Sequence, residues 1–268
     1  MLRTRIILII VTAAVVAVIF FLPKVVVQNE DEALSQKADT VTAAANPAAH
    51  GKVSEADQTA INRLRQQFES KKSTIFADSL WQLYTSIGKF DSAAWYAEQS
   101  ASFSKTTDSY LRAGDSYYEA FSYALDQDKQ SQLGEKAREF LGKALEANPK
   151  LYEAKAKMGM TYIGSGGPPM QGIRMLREVA TEDPKNEFAL FSLGMLSIQS
   201  TQYDKAVEWL TKLVAVNPNH IQGQVFLGVA LVNTRDKEKA RAQFEKARKM
   251  TTDPQVLATI DSYLKDLK

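Results

Sequence analysis

Residues 193–218, LGMLSIQSTQYDKAVEWLTKLVAVNP, and residues 227–252, LGVALVNTRDKEKARAQFEKARKMTT, lie 34 positions apart and repeat one pattern. Gly194 pairs with Gly228, Ala206 with Ala240, Leu210 with Phe244, and Pro184 with Pro218, all at that spacing. Four coincidences at one period mark an internal repeat, which takes precedence over any local motif. Apolar residues recur every three or four positions, the period of an amphipathic helix, and no stretch alternates apolar and polar residues as a strand would. The fold class is all-α.

The pattern weakens toward the N-terminus but does not stop. Met158-Gly159 matches Leu193-Gly194, with Tyr162 three residues on, and this unit closes with Gly172, Leu176, Val179 and Pro184. It is one residue longer because of the turn Gly164-Ser165-Gly166-Gly167-Pro168-Pro169. Ala137, Leu141, Ala144 and Pro149 reproduce a second half, with Gly114 and Tyr117 as its first half. About 11 extra residues separate the two halves. Tyr117, Tyr118, Phe121 and Leu125 extend the apolar face, so the extra length is expected in the first helix. Leu80, Trp81 and Tyr84, then Gly88 to Ala93 and Tyr96, read as a degenerate unit, and Ser54 can cap a helix carrying Ala60, Ile61, Leu64 and Phe68.

The chemistry of the pattern is direct. Glycine and alanine let two antiparallel helices approach closely, large residues fill the space between pairs, and proline ends the second helix because its ring cannot continue the hydrogen-bond ladder. One pair alone leaves an apolar face in water, so pairs stack.

A 34-residue unit with a Leu-Gly pair, an aromatic three positions on, a small residue, a large apolar residue and a terminal proline resembles the tetratricopeptide repeat (TPR). The resemblance covers about residues 75–252 and implies a helix-turn-helix solenoid over 54–252, with residues 253–268 as a capping helix. Ser197 and Leu231 depart from the expected aromatic, and Asp253-Pro254 come two residues late.

Ahead of the repeats, residues 6–22 form a run without a charge, followed by Pro23, Lys24 and three valines. Residues 6–27 would make a helix of roughly 33 Å, enough to cross a ~30 Å hydrocarbon layer. A cleaved signal peptide is the rival reading, but Leu-Pro-Lys-Val-Val-Val stands where cleavage needs small residues. The expectation is a cytoplasmic stub (1–5), a transmembrane anchor (6–27) and a flexible linker (28–53) of Ala, Thr, Asn, Gln and charged residues without a sustained apolar period. Arg3 and Arg5 at the near end favour an inside N-terminus, so the repeats would face the periplasm from a bacterial inner membrane.

Composition excludes several classes. There is no cysteine, hence no disulfide, thiol nucleophile or thiolate metal site. With 33 basic and 31 acidic residues the chain has no field of one sign to attract nucleic acid. His50 and His220 stand outside any catalytic constellation, and the glycine-rich turn lacks the lysine and hydroxyl residue of a phosphate loop. No catalytic residue, metal or cofactor is expected, and the chain reads as a non-enzyme.

The resemblance does imply a partner site. In such repeats the first helices line a concave groove, which the residue after the glycine enters, as do those four and five after it and three and six before. This selects Met160, Ile163 and Ala156; Phe188, Phe191, Met195, Ile198 and Gln199; and Gln222, Val225, Val229, Val232 and Asn233. The earlier unit supplies Asp108, Leu111, Asp115, Tyr118 and Glu119. Asp115, Met160, Met195 and Val229 stand where carboxylate-clamping relatives carry asparagine, so an apolar segment of a protein partner is the expected ligand. The implied role is a membrane-tethered scaffold for assembly or maturation of envelope proteins; a cytosol-facing targeting receptor and an accessory subunit of an enzyme complex are the alternatives.

Overall fold

The computed structural model describes residues 53–267, and among these there are twelve helices and no strand. The expected stub, the anchor at 6–27, nearly all of the linker 28–53 and His50 lie outside the described residues. Among the described residues no helix is long and apolar enough to cross a membrane.

The chain divides into two compact units, the first running to Ala154 together with Gly164–Gly167, the second comprising Lys155–Ile163 and Pro168–Lys268. The first unit holds α1 (Glu55–Ser70), α2 (Thr74–Ser86), α3 (Phe90–Ser104), α4 (Thr107–Tyr123) and α5 (Gln127–Ala147). Each helix packs on the next, as stacked antiparallel pairs require. Ser54 caps α1, its hydroxyl accepting the Asp57 N–H at 3.0 Å. Thr106 and Ser109 form a capping box on α4, and Asp126 caps α5. Phe68, Ala77, Leu80 and Tyr96 form the core between α1, α2 and α3.

The insertion is not confined to the first helix. Helix α4 has 17 residues where α8 and α10 (below) have 13, but α5 has 21 where α9 has 14, so the second helix takes the larger share. Leu125, which extended the apolar face on paper, is an exposed residue between the helices. The lengthened helices hold the glycine-rich turn. The Phe121 ring lies against Gly164, and Gly134 lies against Ser165, in both cases where a Cβ would clash. Ser131 Oγ donates to the Ser165 carbonyl at 3.2 Å, and Arg138 Nη1 donates to Ser165 Oγ at 2.6 Å. Gly166 takes φ of 71°, a conformation that excludes most other residues.

The second unit contains most of α6 (Tyr152–Gly164), then α7 (Pro169–Glu182), α8 (Glu187–Gln199), α9 (Tyr203–Val216), α10 (Ile221–Asn233), α11 (Lys237–Arg248) and α12 (Pro254–Asp266). The repeat glycines are contact points. A Cβ on Gly194 would lie 2.6 Å from Leu210 Cγ, one on Gly228 2.7 Å from Phe244 Cε1, and one on Gly159 2.9 Å from the Gly172 carbonyl oxygen. The turns between paired helices place Thr201 at φ 59° and Arg235 at φ 66°, where the first unit uses Gly88 at φ 69°. Pro254 occupies the first turn of α12 behind the Asp253 cap. That accounts for its late position: it starts a helix instead of ending one. Helix α12 packs on α11, with Tyr263 stacked on Phe244 at 4.9 Å and Ile260 fully buried.

Candidate functional site

The expected groove residues from Ala156 to Asn233 belong to the second unit, on α6, α8 and α10, while Asp108, Leu111, Asp115, Tyr118 and Glu119 belong to α4 of the first. The glycine of each first helix is turned onto its second helix, so the residue after it is rotated by about 100° away from that contact. Helices α8 and α10 also touch each other. Phe191 bridges them, its ring 5.2 Å from the His220 imidazole and 6.0 Å from the Phe226 ring.

Burial separates the row into two classes. Met195, Ile198, Val225 and Val229 are 4%, 6%, 4% and 2% exposed, so the middle of the row is interior. Met160, Phe188, Phe191, Val232 and Asn233 are half-buried, and Gln199 and Gln222 are exposed. Ile163 is half-buried against α7, its Cγ1 2.7 Å from where a Gly172 Cβ would lie. Asn233 Nδ2 donates to the Val229 carbonyl at 2.9 Å. The accessible strip is thus apolar in Met160, Phe188, Phe191 and Val232, and edged by two glutamines and an asparagine. In the first unit Asp108 is exposed, while Leu111, Asp115, Tyr118 and Glu119 are half-buried.

His220 has a structural task. Its Nδ1 accepts the Gly223 N–H at 2.9 Å and caps α10, so the ring is held by that bond and by Phe191. Among the described residues no group of three His, Asp or Glu side chains could hold a metal ion.

Sequence reasoning did not find a polar cluster in the first unit. Glu98 of α3 accepts from the Tyr117 hydroxyl of α4 and from Lys136 Nζ of α5, the latter at 2.8 Å. Burial and the Glu98 carboxylate together push the Tyr117 hydroxyl well above its ordinary range. Burial works to lower Lys136, but its bonds to Glu98 and Glu139 prevail and hold it above the usual lysine value. Nearby, Arg112 pairs with Asp78 at 2.8 Å and lies over the Trp81 ring, while Trp81 Nε1 donates to Ser116 Oγ at 2.9 Å. Glu98 gave no sequence signal, because the matching positions of the other second helices hold Gly142, Thr211 and Glu245. Every charged member has a partner, and the arrangement ties three helices together.

Comparison with known proteins agrees with the helical repeat. Residues 189–220 match the family model of the tetratricopeptide repeat. No match is found among curated protein sequences. Among solved structures, MamA (residues 41 to the end) from Desulfovibrio magneticus RS-1 is 18% identical, over 67% of this chain and 95% of that one, with a TM-score of 0.51. A crystal structure of MamA is 19% identical, over 64% and 94% of the two chains, with a TM-score of 0.50. YrrB, described as a TPR protein with an unusual peptide-binding site, is 17% identical over 75% of this chain and 99% of its own, with a TM-score of 0.46. Residues 189–220 are therefore a tetratricopeptide repeat, and the helical repeats around them have the TPR fold.

Proposed function

We propose that this chain is a non-catalytic scaffold that binds an apolar segment of another protein, held at a membrane by residues 6–27. The observation that carries the reading is the strip of half-exposed Met160, Phe188, Phe191 and Val232 edged by Gln199, Gln222 and Asn233. The matched repeat, 189–220, contributes Phe191 and Gln199 to it. An apolar strip with a polar edge suits an amphipathic helix, whose anchors recur every three or four residues, and methionine adapts to the shape of what it meets. Met195, Ile198, Val225 and Val229, on the same row, are buried.

Tethering adds to the contact. Confinement near a bilayer raises the effective concentration of the repeats for a membrane-bound partner, so modest intrinsic affinity suffices. Envelope-protein assembly at a bacterial inner membrane, with the repeats in the periplasm, is the setting this reading favours; protease accessibility of the repeats in sealed spheroplasts tests the orientation.

The binding test is crosslinking and affinity capture from native membranes with the full chain. A Phe188→Glu, Val232→Glu variant with unchanged circular dichroism should lose the partner captured by the wild type, while Lys205→Glu on exposed α9 surface should keep it. Equal capture by all three sinks the groove reading.

A further inference from the structure

The aromatic place of the repeat, three residues after its glycine, has a counterpart in the second helix, one residue before the large apolar place. In α2 and α3 these two places hold Tyr84 and Tyr96, stacked at 5.5 Å with 8° between their planes. In α4 and α5 they hold Tyr117 and Phe140, stacked at 5.9 Å and 14°. Tyr162 and Met175 follow in α6 and α7, then Ser197 and Trp209 in α8 and α9, with one ring in each pair. In α10 and α11 the places fall to Leu231 and Gln243, and neither is a ring.

A groove of about 540 Å³ lies at that point, among α9, α10 and α11 and wholly inside the second unit. Leu231 and Gln243 both line it. Leu227 and Leu231 are buried at its base, and Val207 of α9 and Ala242 of α11 add apolar surface on either side. The Gln243 amide is held by α10: its Nε2 donates to Oε1 of Gln224, which is fully buried and whose own Nε2 donates to the Pro218 carbonyl at 2.6 Å. None of the lining residues belongs to the strip of Met160, Phe188, Phe191 and Val232.

The rim carries a net charge. Asp236 is paired with Lys239 at 2.6 Å, and these two offset each other. Asp204, exposed in the first turn of α9, is the remaining charged group of the lining. The groove thus combines an apolar base, open space where other repeats carry rings, and one negative charge in excess.

We infer that this groove takes an aromatic side chain of a partner protein, with a lysine or arginine next to it in the partner's sequence. The ring packs on Leu231 in the manner of Phe140 on Tyr117, and the neighbouring cation meets Asp204. Burial of the ring supplies most of the attraction, since an aromatic side chain brings a large apolar area at small conformational cost. The exposed carboxylate adds selectivity more than affinity. A groove of about 540 Å³ is within the ~300–1,000 Å³ that small-ligand sites occupy, so an indole or phenol ring has room.

Methyl NMR of the full chain in detergent micelles tests the inference, with capped dipeptide amides as probes. Tryptophyl-lysine should shift the Leu227 and Leu231 methyls saturably, and tryptophyl-glutamate should bind about three- to tenfold more weakly. Alanyl-lysine should leave them in place. Gln243→Trp, which restores the ring that Trp209 supplies one unit earlier, should abolish the shifts with circular dichroism unchanged. Asp204→Asn, at an exposed position, should bring the lysine and glutamate probes to within about twofold of each other. Phe188→Glu, on the strip, should alter none of these results. Equal shifts from the alanine probe, no shift from either tryptophan probe, a preference for glutamate, or shifts retained in Gln243→Trp overturn the inference. Methyl signals that move when the chain alone is diluted would overturn it too, by assigning the groove to a second copy.

Discussion

The contact of Gly194 with Leu210 can be tested by a double-mutant cycle. Leu210→Ala removes a fully buried side chain and should cost about 2–5 kcal/mol. Gly194→Ala alone gains about 1 kcal/mol of helix propensity. It also forces a methyl to within 2.6 Å of Leu210 Cγ, and overpacking of that kind costs about 1–3 kcal/mol. The single variant should therefore range from neutral to about 2 kcal/mol destabilised. The three atoms nearest to the added methyl all belong to the Leu210 side chain beyond Cβ. In the Leu210→Ala background the clash is gone, so Gly194→Ala should stabilise by about 1 kcal/mol, a coupling of about 1–3 kcal/mol between the sites. Urea denaturation followed by circular dichroism and by Trp209, which lies on the same helix as Leu210, gives all four corners. Additivity within about 0.5 kcal/mol would refute the reasoning, because Leu210 would then have moved aside without cost.

Thr201, a β-branched residue at φ 59°, should give way to glycine with a gain of about 0.5–1 kcal/mol after the added unfolded-state entropy, read as a higher denaturation midpoint. Burial, then the charge of Asp266, pushes the Tyr263 hydroxyl up to about 12. A folded value above the unfolded one near 10 means that this contribution is complete below pH 10 and is lost as pH rises through 12, so α12 should loosen in that window. The Tyr263 hydroxyl oxygen is buried and has no hydrogen-bond partner among the described residues, so Tyr263→Phe should be close to neutral at pH 7 and should remove this alkaline transition, as ultraviolet absorbance and circular dichroism would show.

The repeat was legible because its period is set by contacts internal to each helix pair. Gly194 and Leu210 are 16 residues apart in one unit, and Gly228 and Phe244 repeat that distance, so spacing alone reports the contact. The departures from the pattern were satisfied by means that spacing does not reveal. Ser197, in place of an aromatic, is buried with its Oγ donating to the Leu193 carbonyl at 2.7 Å. Glu98 is satisfied inside the first unit by hydrogen bonds from Tyr117 and Lys136, which lie 19 and 38 residues away. The expected groove is a row of positions in the sequence, not a surface. Helical register places Met195 and Val229 on the expected side, while their burial depends on what packs over them, which no single-helix period encodes. The length of α5 escaped for a related reason: its opening turns are polar, and only the contact of Ser131 with Ser165 shows what they are for.

Those contacts bear on how the chain can change length. Phe121 and Ser131 stand on the added turns of α4 and α5, Gly134 and Arg138 follow directly on α5, and all meet residues 164–165, where the next repeat is one residue longer than its neighbours. Two insertions that look independent along the sequence are one joint in space. Shortening either alone strands the other, so in related chains the lengthened hairpin and the glycine-rich loop should be inherited or lost together, and their covariation would mark the descendants of a single ancestral event.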